Sequence, residues 1–254
     1  MEKISIIIPT LNSGGTIKRT LNSVFSQSYK KWEILIIDSY SSDETLKFVK
    51  SFNSKKIKFY KYPKSKGLAA ARSFGISKSS GNYISFLDSD DIWKKNKLSY
   101  QINYMKKNNY NFCCTEYSLI NNDVKKNFLI KNNYIDYNFL LSDRPIALST
   151  VMVTKKLILS VSNKYKKNNF AEDYLWWIMI LKNNYKCYVL KKNLTNIYVT
   201  NNSRSENIMK NFISLFKIYR YNLKLNLFKL VYTFFLLFIN NFSKLIFKLY
   251  RVKN

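Results

Sequence analysis

The sequence predicts an α/β fold in which a mostly parallel sheet is flanked by helices. In about the first ninety residues, short apolar runs that end in turn residues alternate with polar or amphipathic stretches of helical length. The apolar runs predict strands at residues 4–8, 33–37, 57–60 and 83–87, and the intervening stretches predict helices at 16–26, 43–52 and 68–77. This alternation is typical of parallel strands joined by crossover helices.

The middle of the chain has a less regular pattern. We predict a helix near residues 95–107, a strand at 112–119, a variable loop to about residue 140, a strand at 147–153 and a helix from 172 to about 182. The loop after the first predicted strand lacks G-x-G-x-x-G, and G-x-x-x-x-G-K-[ST] does not occur in the chain. The sequence therefore favours neither a dinucleotide-binding fold nor a P-loop.

The composition changes after residue 207. Residues 208–254 contain neither Gly nor Pro, and they mix aromatic and aliphatic residues with Lys and Arg. In the last part of this tail, an apolar helical face lies opposite a basic one; the residues are Phe242, Leu245, Ile246 and Leu249 against Lys244, Lys248 and Arg251. We therefore divide the chain into a main domain, residues 1–207, and a basic amphipathic helical tail, residues 208–254.

The charge balance restricts both the partners and the chemistry. The 254 residues include 43 Lys and Arg against 15 Asp and Glu, which gives a formal charge of +28 and indicates an anionic partner or environment. Nucleic acid, a phospholipid surface and phosphorylated substrates all satisfy this condition. The chain contains no histidine, the commonest general base and transition-metal ligand. Acid–base or metal chemistry must therefore use carboxylates.

Cysteine content and hydropathy bear on the cellular location. The three cysteines have no C-x-x-C spacing, so we predict neither a structural zinc site nor an oxidising compartment. The first apolar run is short and stops at Pro9, unlike the core of an export signal. The longest apolar run, residues 230–239, is shorter than the roughly 17–25 residues that span a bilayer. We therefore expect a cytoplasmic protein.

The few acidic residues are clustered. Eight of the fifteen form three groups, which are Asp38, Asp43 and Glu44; Asp88, Asp90 and Asp91; and Glu172 and Asp173. The first two groups begin at the carboxyl ends of predicted strands, where open α/β sheets bind ligands. An Asp-x-Asp step there offers hard oxygen ligands for Mg²⁺ or Mn²⁺ on a diphosphate. The alternative is an Asp-rich turn that caps the next helix.

Five motifs in order strengthen the ligand-binding interpretation. They are Ser-Ile-Ile-Ile-Pro-Thr-Leu-Asn at 5–12, Leu-Asn-Ser-Val-Phe-Ser-Gln-Ser-Tyr at 21–29, Gly67 with Ala71-Arg72, Phe-Leu-Asp-Ser-Asp-Asp-Ile-Trp at 86–93, and Glu-Asp-Tyr-Leu-Trp-Trp at 172–177. Together they resemble a family 2 glycosyltransferase of the GT-A fold, as found among bacterial surface-polysaccharide enzymes. The resemblance covers about residues 4–205 and implies that residues 1–207 form the catalytic domain.

The resemblance implies a role for individual residues. The residues expected to bind the nucleotide sugar are Pro9, Thr10, Asn12, Asp38, Arg72, Asp88, Ser89 and Asp90. Among these, Asp88 and Asp90 are the expected metal ligands, with Mg²⁺ or Mn²⁺ as cofactor. Asp173 is the expected catalytic base, although acids also occur in the first turn of helices simply because the helix dipole favours them. Trp176 and Trp177 are expected in the core.

The resemblance also implies the reaction. We expect an inverting, metal-dependent transfer of a sugar from a nucleotide-diphosphate donor to a hydroxyl of a glycan or lipid-linked glycan acceptor, in cell-surface polysaccharide synthesis. Where the family commonly has a second acid after the second strand, this chain has Ser39, so the donor stays open. Tyr198 is followed by Val199 where an Arg is usual, and Arg204 is a possible replacement. Ser203 and Ser205 resemble serines of the family's active-site loop.

Two other functions compete with this one. A nucleic-acid-binding protein fits the charge and the 20 Tyr and 18 Phe, but the sequence shows no helix-turn-helix, zinc-finger or RNP-type signature, and the carboxylate clusters would repel a polyanion. We therefore expect no nucleic-acid partner. A catalytically inactive protein of the membrane surface is the other alternative. For the tail, we expect binding to an anionic membrane at its inner face; the alternative is a helical pair packed on the catalytic domain.

Overall fold

The structure is a computed structural model that describes residues 2–121, 124–164, 172–199 and 208–249. The strands are β1 Ile4–Thr10, β2 Trp32–Asp38, β3 Ile57–Lys61, β4 Tyr83–Phe86, β5 Ile92–Trp93, β6 Phe112–Asn121, β7 Val124–Phe128, β8 Tyr134–Ile135, β9 Met152–Thr154 and β10 Cys187–Tyr198. The helices are α1 Ile17–Phe25, α2 Thr45–Ser51, α3 Gly67–Lys78, α4 Lys97–Lys107, α5 Tyr137–Asp143, α6 Lys155–Ser162, α7 Glu172–Lys182, α8 Ile208–Lys217 and α9 Leu227–Leu249. A π-helical turn, Ile218–Asn222, follows α8.

The strands form one sheet in the order β3-β2-β1-β4-β9-β6-β10-β5, with β7 added beside β6 and β8 beside β10. The first four are parallel, as predicted, because each is joined to the next by a crossover helix. β9 is antiparallel to both neighbours, whereas β6 and β10 are parallel to each other. The α/β fold class is therefore confirmed, with a parallel first half and a mixed second half.

Burial explains the strands of the first half. Every residue of β1 and of β2 is buried, because helices cover both faces of the sheet at these strands. Close packing of α3 on the sheet requires a glycine, since a Cβ on Gly75 would lie 2.8 Å from Cγ2 of Ile7 and 3.2 Å from Cγ1 of Ile37. The missing side chain at Gly75 thus lets α3 lie directly against β1 and β2.

A buried carboxylate stabilises the opposite edge of the same strands. Glu33 in β2 forms ion pairs with Lys3 at 3.0 Å and Lys58 at 2.9 Å, and it accepts a 2.6 Å hydrogen bond from Ser5. Burial alone would raise the pKa of Glu33. Hydrogen bonds from Ser5, Ser80 and Lys58 outweigh that effect and hold the pKa well below its usual value.

Several predictions for the second half of the chain are wrong in detail. The predicted loop up to residue 140 contains β7, β8 and the start of α5. The predicted strand at 147–153 is instead a 3₁₀ turn, Leu148–Thr150, followed by the short β9. The sequence also gave no indication of α6 or of the twelve-residue β10. The register shifts of β10 against β6 near Asn193, next to two lysines, interrupt the apolar alternation that marks a strand.

The described part of the tail packs against the main domain. Leu215, Ile218, Leu223, Leu230 and Leu237 are buried in the same apolar cluster as residues of α5 and α7. The other side of α9 exposes a second apolar stripe; its residues are Phe228, Val231, Tyr232, Phe235, Phe238 and Ile239. Among the described residues, no helix is both long and apolar enough to cross a bilayer.

Candidate active site

Three loops meet at the carboxyl edge of the parallel strands. β1 lies between β2 and β4, so the loops that follow these strands are neighbours. Pro9 and Thr10 are the buried last residues of β1, and they pair with Ile37 and Asp38 at the end of β2. The Oγ atoms of Ser13 and Ser89 lie 2.8 Å apart, which joins the β1 loop to the Asp-x-Asp loop.

Asp38 holds the first two loops together. Its Oδ1 accepts hydrogen bonds from Thr10 Oγ1 at 3.0 Å and Ser41 Oγ at 2.6 Å, and its Oδ2 accepts one from the Ser41 N–H at 3.0 Å. Asn12 adopts a left-handed conformation, with φ of 49°. Its N–H donates to Ser41 Oγ at 2.9 Å, and its Oδ1 accepts from the Ser42 N–H at 3.0 Å. The Asp38 carboxylate is thus buried and satisfied within the protein.

Arg72 and Asp88 form an ion pair at the centre of the site. Arg72 lies on α3, is 5% exposed, and donates from Nη2 to Asp88 Oδ1 at 2.7 Å. Asp88 follows β4 by two residues, and 39% of its side chain is exposed. A buried guanidinium beside a solvent-accessible carboxylate gives the site both a fixed positive charge and an acid that a ligand can reach.

The backbone of the Asp-x-Asp loop is held from α1. The Arg19 guanidinium donates to the Asp90 carbonyl oxygen at 3.0 Å and lies 3.9 Å from the centre of the Tyr198 ring. Thr20 Oγ1 donates to the Ser89 carbonyl oxygen at 3.0 Å. These bonds use main-chain carbonyls of the loop, and the side chains of residues 88–90 remain partly exposed.

Asp91 ties the same loop to the sheet. It is fully buried, its Oδ2 accepts from Ser149 Oγ at 2.5 Å, and its Oδ1 accepts from the Tyr198 N–H at 3.1 Å. Ser149 Oγ also accepts from the Asp88 N–H at 3.1 Å. The ends of β4 and β10 and the turn before β9 are therefore joined through one carboxylate and one hydroxyl.

The carboxylates of this loop repel one another. Burial and the neighbouring Asp88 raise the pKa of Asp90 to about 6. Burial also raises the pKa of Asp91, with further contributions from Asp88 and Asp90. A cation beside Asp88 and Asp90 would relieve this repulsion.

The residues present fit a divalent ion that is shared with a substrate. Mg²⁺ is commonly held by one or two carboxylates together with substrate phosphates, and Asp88 and Asp90 supply two carboxylates on one short loop. In the part of the chain that the structure describes, His, Cys, Asp and Glu side chains do not form a group of three or more that could hold a metal. Asp88 and Asp90 would thus supply two of the oxygen ligands of such an ion, and substrate phosphates would supply others.

Asp173 lies in the first turn of α7 with a half-buried side chain. One turn later, Trp176 and Trp177 are fully buried, as predicted, and their rings lie 6.1 and 6.0 Å from the ring of Phe86, the last residue of β4. The helix that carries Asp173 therefore packs against the strand that leads into Asp88.

Sequence reasoning missed the residues that support the site. Ser149 and Arg19 follow no recognisable local pattern, and only folding brings them to the Asp-x-Asp loop. Asp91 stands in the Asp-rich motif, so its acidity was visible, but its burial was not. Ser203, Arg204 and Ser205 lie outside the described residues.

An Asp-x-Asp loop at the carboxyl edge of a partly parallel sheet, with the Arg72 guanidinium beside it, agrees with the expected class, a nucleotide-sugar-dependent glycosyltransferase of the GT-A fold. The chain belongs to glycosyl transferase family 2, whose family model matches residues 5–162.

Two bacterial relatives illustrate the similarity. The UDP-Glc:alpha-D-GlcNAc-diphosphoundecaprenol beta-1,3-glucosyltransferase of Escherichia coli is 39% identical over 181 residues, which cover 71% of this chain and 70% of that protein. The putative teichuronic acid biosynthesis glycosyltransferase of Bacillus subtilis is 28% identical over 235 residues, which cover 91% and 92% of the two chains.

Solved structures share the fold. Staphylococcus aureus TarS 1-349 in complex with UDP-GlcNAc matches with a TM-score of 0.71 at 20% identity, covering 85% of this chain and 65% of that chain. A mannosyltransferase from Pyrobaculum calidifontis in complex with GDP-Man and Mn²⁺ matches with a TM-score of 0.66 at 16% identity, covering 88% and 64%. The present chain thus spans slightly less than two thirds of each solved chain.

Proposed function

We propose that the protein is an inverting, metal-dependent glycosyltransferase that transfers a sugar from a UDP-sugar to a hydroxyl of a lipid-linked glycan during cell-surface polysaccharide synthesis. The observation that carries this proposal is the pairing of Asp88 and Asp90 on a loop fixed at its backbone, next to the buried Arg72. This arrangement suits a leaving diphosphate, because an ion and a guanidinium can both stabilise its charge.

The metal would be held by Asp88 and Asp90. When bound, Mg²⁺ or Mn²⁺ supplies electrostatic stabilisation of the departing diphosphate. Arg72 contributes a second, permanent positive charge, and its ion pair with Asp88 fixes that carboxylate before the donor arrives. Pro9, Thr10, Asn12 and Asp38 shape the adjoining nucleotide pocket, the last of these by holding two loops together. Ser89 joins the pocket through Ser13.

Asp173 would remove the proton from the acceptor hydroxyl. A base on the face of the sugar opposite the leaving group gives inversion, because the acceptor attacks from that face. With no histidine in the chain, a carboxylate is the natural base, and α7, which carries Asp173 in its first turn, packs through Trp176 against Phe86 at the end of β4. Its position in the first turn of a helix is also compatible with a purely structural role, worth about 0.3–1 kcal/mol.

The donor and acceptor classes come from the relatives. The E. coli relative is described as acting on UDP-Glc and on a GlcNAc-diphosphoundecaprenol, and the TarS complex contains UDP-GlcNAc. UDP-sugars and polyprenyl-diphosphate-linked sugars are therefore the first substrates to test. The +28 charge is consistent with two substrates that both carry phosphates.

The tail would place the enzyme on the inner face of an anionic membrane. Residues 208–254 include nine Lys and Arg and no Asp or Glu, and α9 exposes its apolar stripe beside this charge. An anionic lipid surface satisfies both features, whereas a second copy of the chain would bring two positive surfaces together. Replacing Phe228, Phe235 and Phe238 together by Ser should reduce co-sedimentation with phosphatidylglycerol vesicles; unchanged co-sedimentation would contradict membrane binding.

Calorimetric titration of UDP in the presence of Mn²⁺ tests the donor site. We expect Asp90→Ala to weaken binding at least tenfold and to abolish its dependence on Mn²⁺. Asp136→Asn is the matched control, because Asp136 caps α5 by accepting from the Phe139 N–H and Asn caps helices equally well. Equal, metal-independent binding by all three proteins would contradict the assignment of the donor site.

A further inference from the structure

We infer that Tyr219, in the tail, is a positioning residue for Asp173 and acts through Tyr174. This inference rests on the proposed role of Asp173 as the base. It assigns the tail a part in the reaction that is separate from any contact with lipid.

A buried pair of hydroxyls joins the tail to α7. The hydroxyl oxygens of Tyr174 and Tyr219 lie 2.6 Å apart, and both side chains are buried, at 3% and 0% exposure. The Tyr174 hydroxyl also lies 3.3 Å from the Leu140 carbonyl oxygen, to which it donates. A carbonyl can only accept, so the single hydroxyl proton of Tyr174 points to Leu140. In the bond between the two hydroxyls, Tyr219 is then the donor and the Tyr174 oxygen the acceptor. The result is a directional chain from the tail, through α7, to α5.

Neighbouring groups hold this pair in place. The Arg144 guanidinium lies 4.6 Å from the centre of the Tyr174 ring, and the Phe234 ring lies 5.5 Å from that of Tyr219. Phe234 belongs to α9, so both segments of the tail contribute to the environment of the pair. A hydroxyl buried among apolar side chains is costly without a partner, so the two tyrosines favour a single arrangement.

Tyr174 connects the hydroxyl pair to the proposed base, Asp173. Tyr174 directly follows Asp173 in the first turn of α7, where the first backbone N–H groups of a helix have no partner within it. Because Tyr174 is the residue next to Asp173, its hydrogen bond to Tyr219 in the tail restrains this first turn more directly than packing further along α7 does. Loss of the Tyr219 hydroxyl should therefore let Asp173 depart from the geometry that proton removal requires.

A double-mutant cycle on the full-length protein tests this inference. Transfer from a UDP-sugar should be measured for the wild type, Tyr219→Phe, Asp173→Asn and the double variant. Tyr221→Phe is the matched control, because Tyr221 lies in the same π-helical turn but is 69% exposed. Tyr174→Phe is a second probe of the same hydrogen bond, and thermal unfolding reports on the folding of each variant.

We expect Tyr219→Phe to lower kcat about tenfold in the wild type, with KM for the donor changed less than twofold. In Asp173→Asn, the same change should lower kcat less than twofold, because the base through which Tyr219 acts is already absent. Tyr174→Phe should reproduce the loss, and Tyr221→Phe should not.

Two results would overturn the inference, and they differ in what else they contradict. If Asp173→Asn is at least a hundredfold slower than the wild type but Tyr219→Phe causes the same fold loss in both backgrounds, or none in the wild type, only the positioning role fails. If Asp173→Asn transfers sugar as fast as the wild type, the proposed base fails as well.

Discussion

The buried Lys97 offers a quantitative test of the core beneath the Asp-x-Asp loop. Its side chain is fully buried, donates to Gln101 Oε1 at 2.8 Å, and places Nζ 4.0 Å from the centre of the Trp93 ring. Burial lowers the pKa of Lys97 from 10.5 to about 7. A tenfold change in proton affinity corresponds to about 1.4 kcal/mol, so the charged form is disfavoured in the folded protein by roughly 4–5 kcal/mol.

The sign of the pH dependence follows from proton binding. Between pH 7 and 10.5 the unfolded chain keeps the Lys97 proton and the folded protein releases it. The unfolding free energy of the wild type should therefore gain about 1.4 kcal/mol per pH unit from this group. Lys97→Met cannot titrate and lacks this contribution. At pH 7, Lys97→Met should be more stable than the wild type by roughly 1–3 kcal/mol. This figure is the roughly 4–5 kcal/mol penalty on the charged lysine less about 1–3 kcal/mol for the lost hydrogen bond to Gln101.

Urea unfolding at several pH values between 6.5 and 9.5 measures the difference in unfolding free energy between Lys97→Met and the wild type. The stability advantage of Lys97→Met should decrease with pH at about 1.4 kcal/mol per unit above pH 7. Lys107→Met is the control, because Lys107 is exposed at the end of the same helix. Parallel pH curves for the wild type and Lys97→Met would refute the assignment of a neutral lysine in the core.

Three further predictions follow from the packing and the hydrogen bonds. Glu33→Gln should destabilise the protein most at neutral pH, and the difference in unfolding free energy from the wild type should shrink as the pH falls below 4.5. The reason is that the lowered pKa of Glu33 stabilises the folded state only while the carboxyl is ionised. Thermal unfolding across pH measures this difference. Gly75→Ala should cost about 1–3 kcal/mol in urea unfolding, since the added methyl overlaps Ile7. Ser149→Ala should lower kcat/KM for transfer about tenfold, because buried Asp91 loses its hydroxyl donor.

The first half of the fold could be predicted because its signals are local. Each parallel strand is a continuous apolar run followed by turn residues, and each crossover helix fits between two runs. β10 could not be predicted, because its strand pattern is interrupted where the register against β6 shifts near Asn193. Its pairing partner, β6, lies far away in the sequence, so no short window contains the reason for its conformation.

The residues of the site were likewise predictable only where the signal in the sequence is local. Asp88 and Asp90 were visible because both acids lie within three residues at a strand end. The bonds that hold the neighbouring Asp91 were not visible, because they join it to Ser149 and to the Tyr198 N–H across 58 and 107 residues of sequence. Asp38 was predicted as a nucleotide-binding residue, and the structure adds that its carboxylate is already satisfied by Thr10 and Ser41. Its contribution to binding would thus come through the shape of the loops.

Sugar transfer to a polyprenyl-diphosphate-linked acceptor, followed with radiolabelled UDP-sugars and Mg²⁺ or Mn²⁺, is the most direct test of the proposed reaction. We expect the wild type to form a labelled lipid product only when the metal is present. Asp90→Ala and Asp173→Asn should each lose at least a hundredfold in rate, whereas Asp136→Asn should match the wild type. Equal rates for all four proteins across a panel of donors, or full activity without metal, would contradict the assigned catalytic carboxylates.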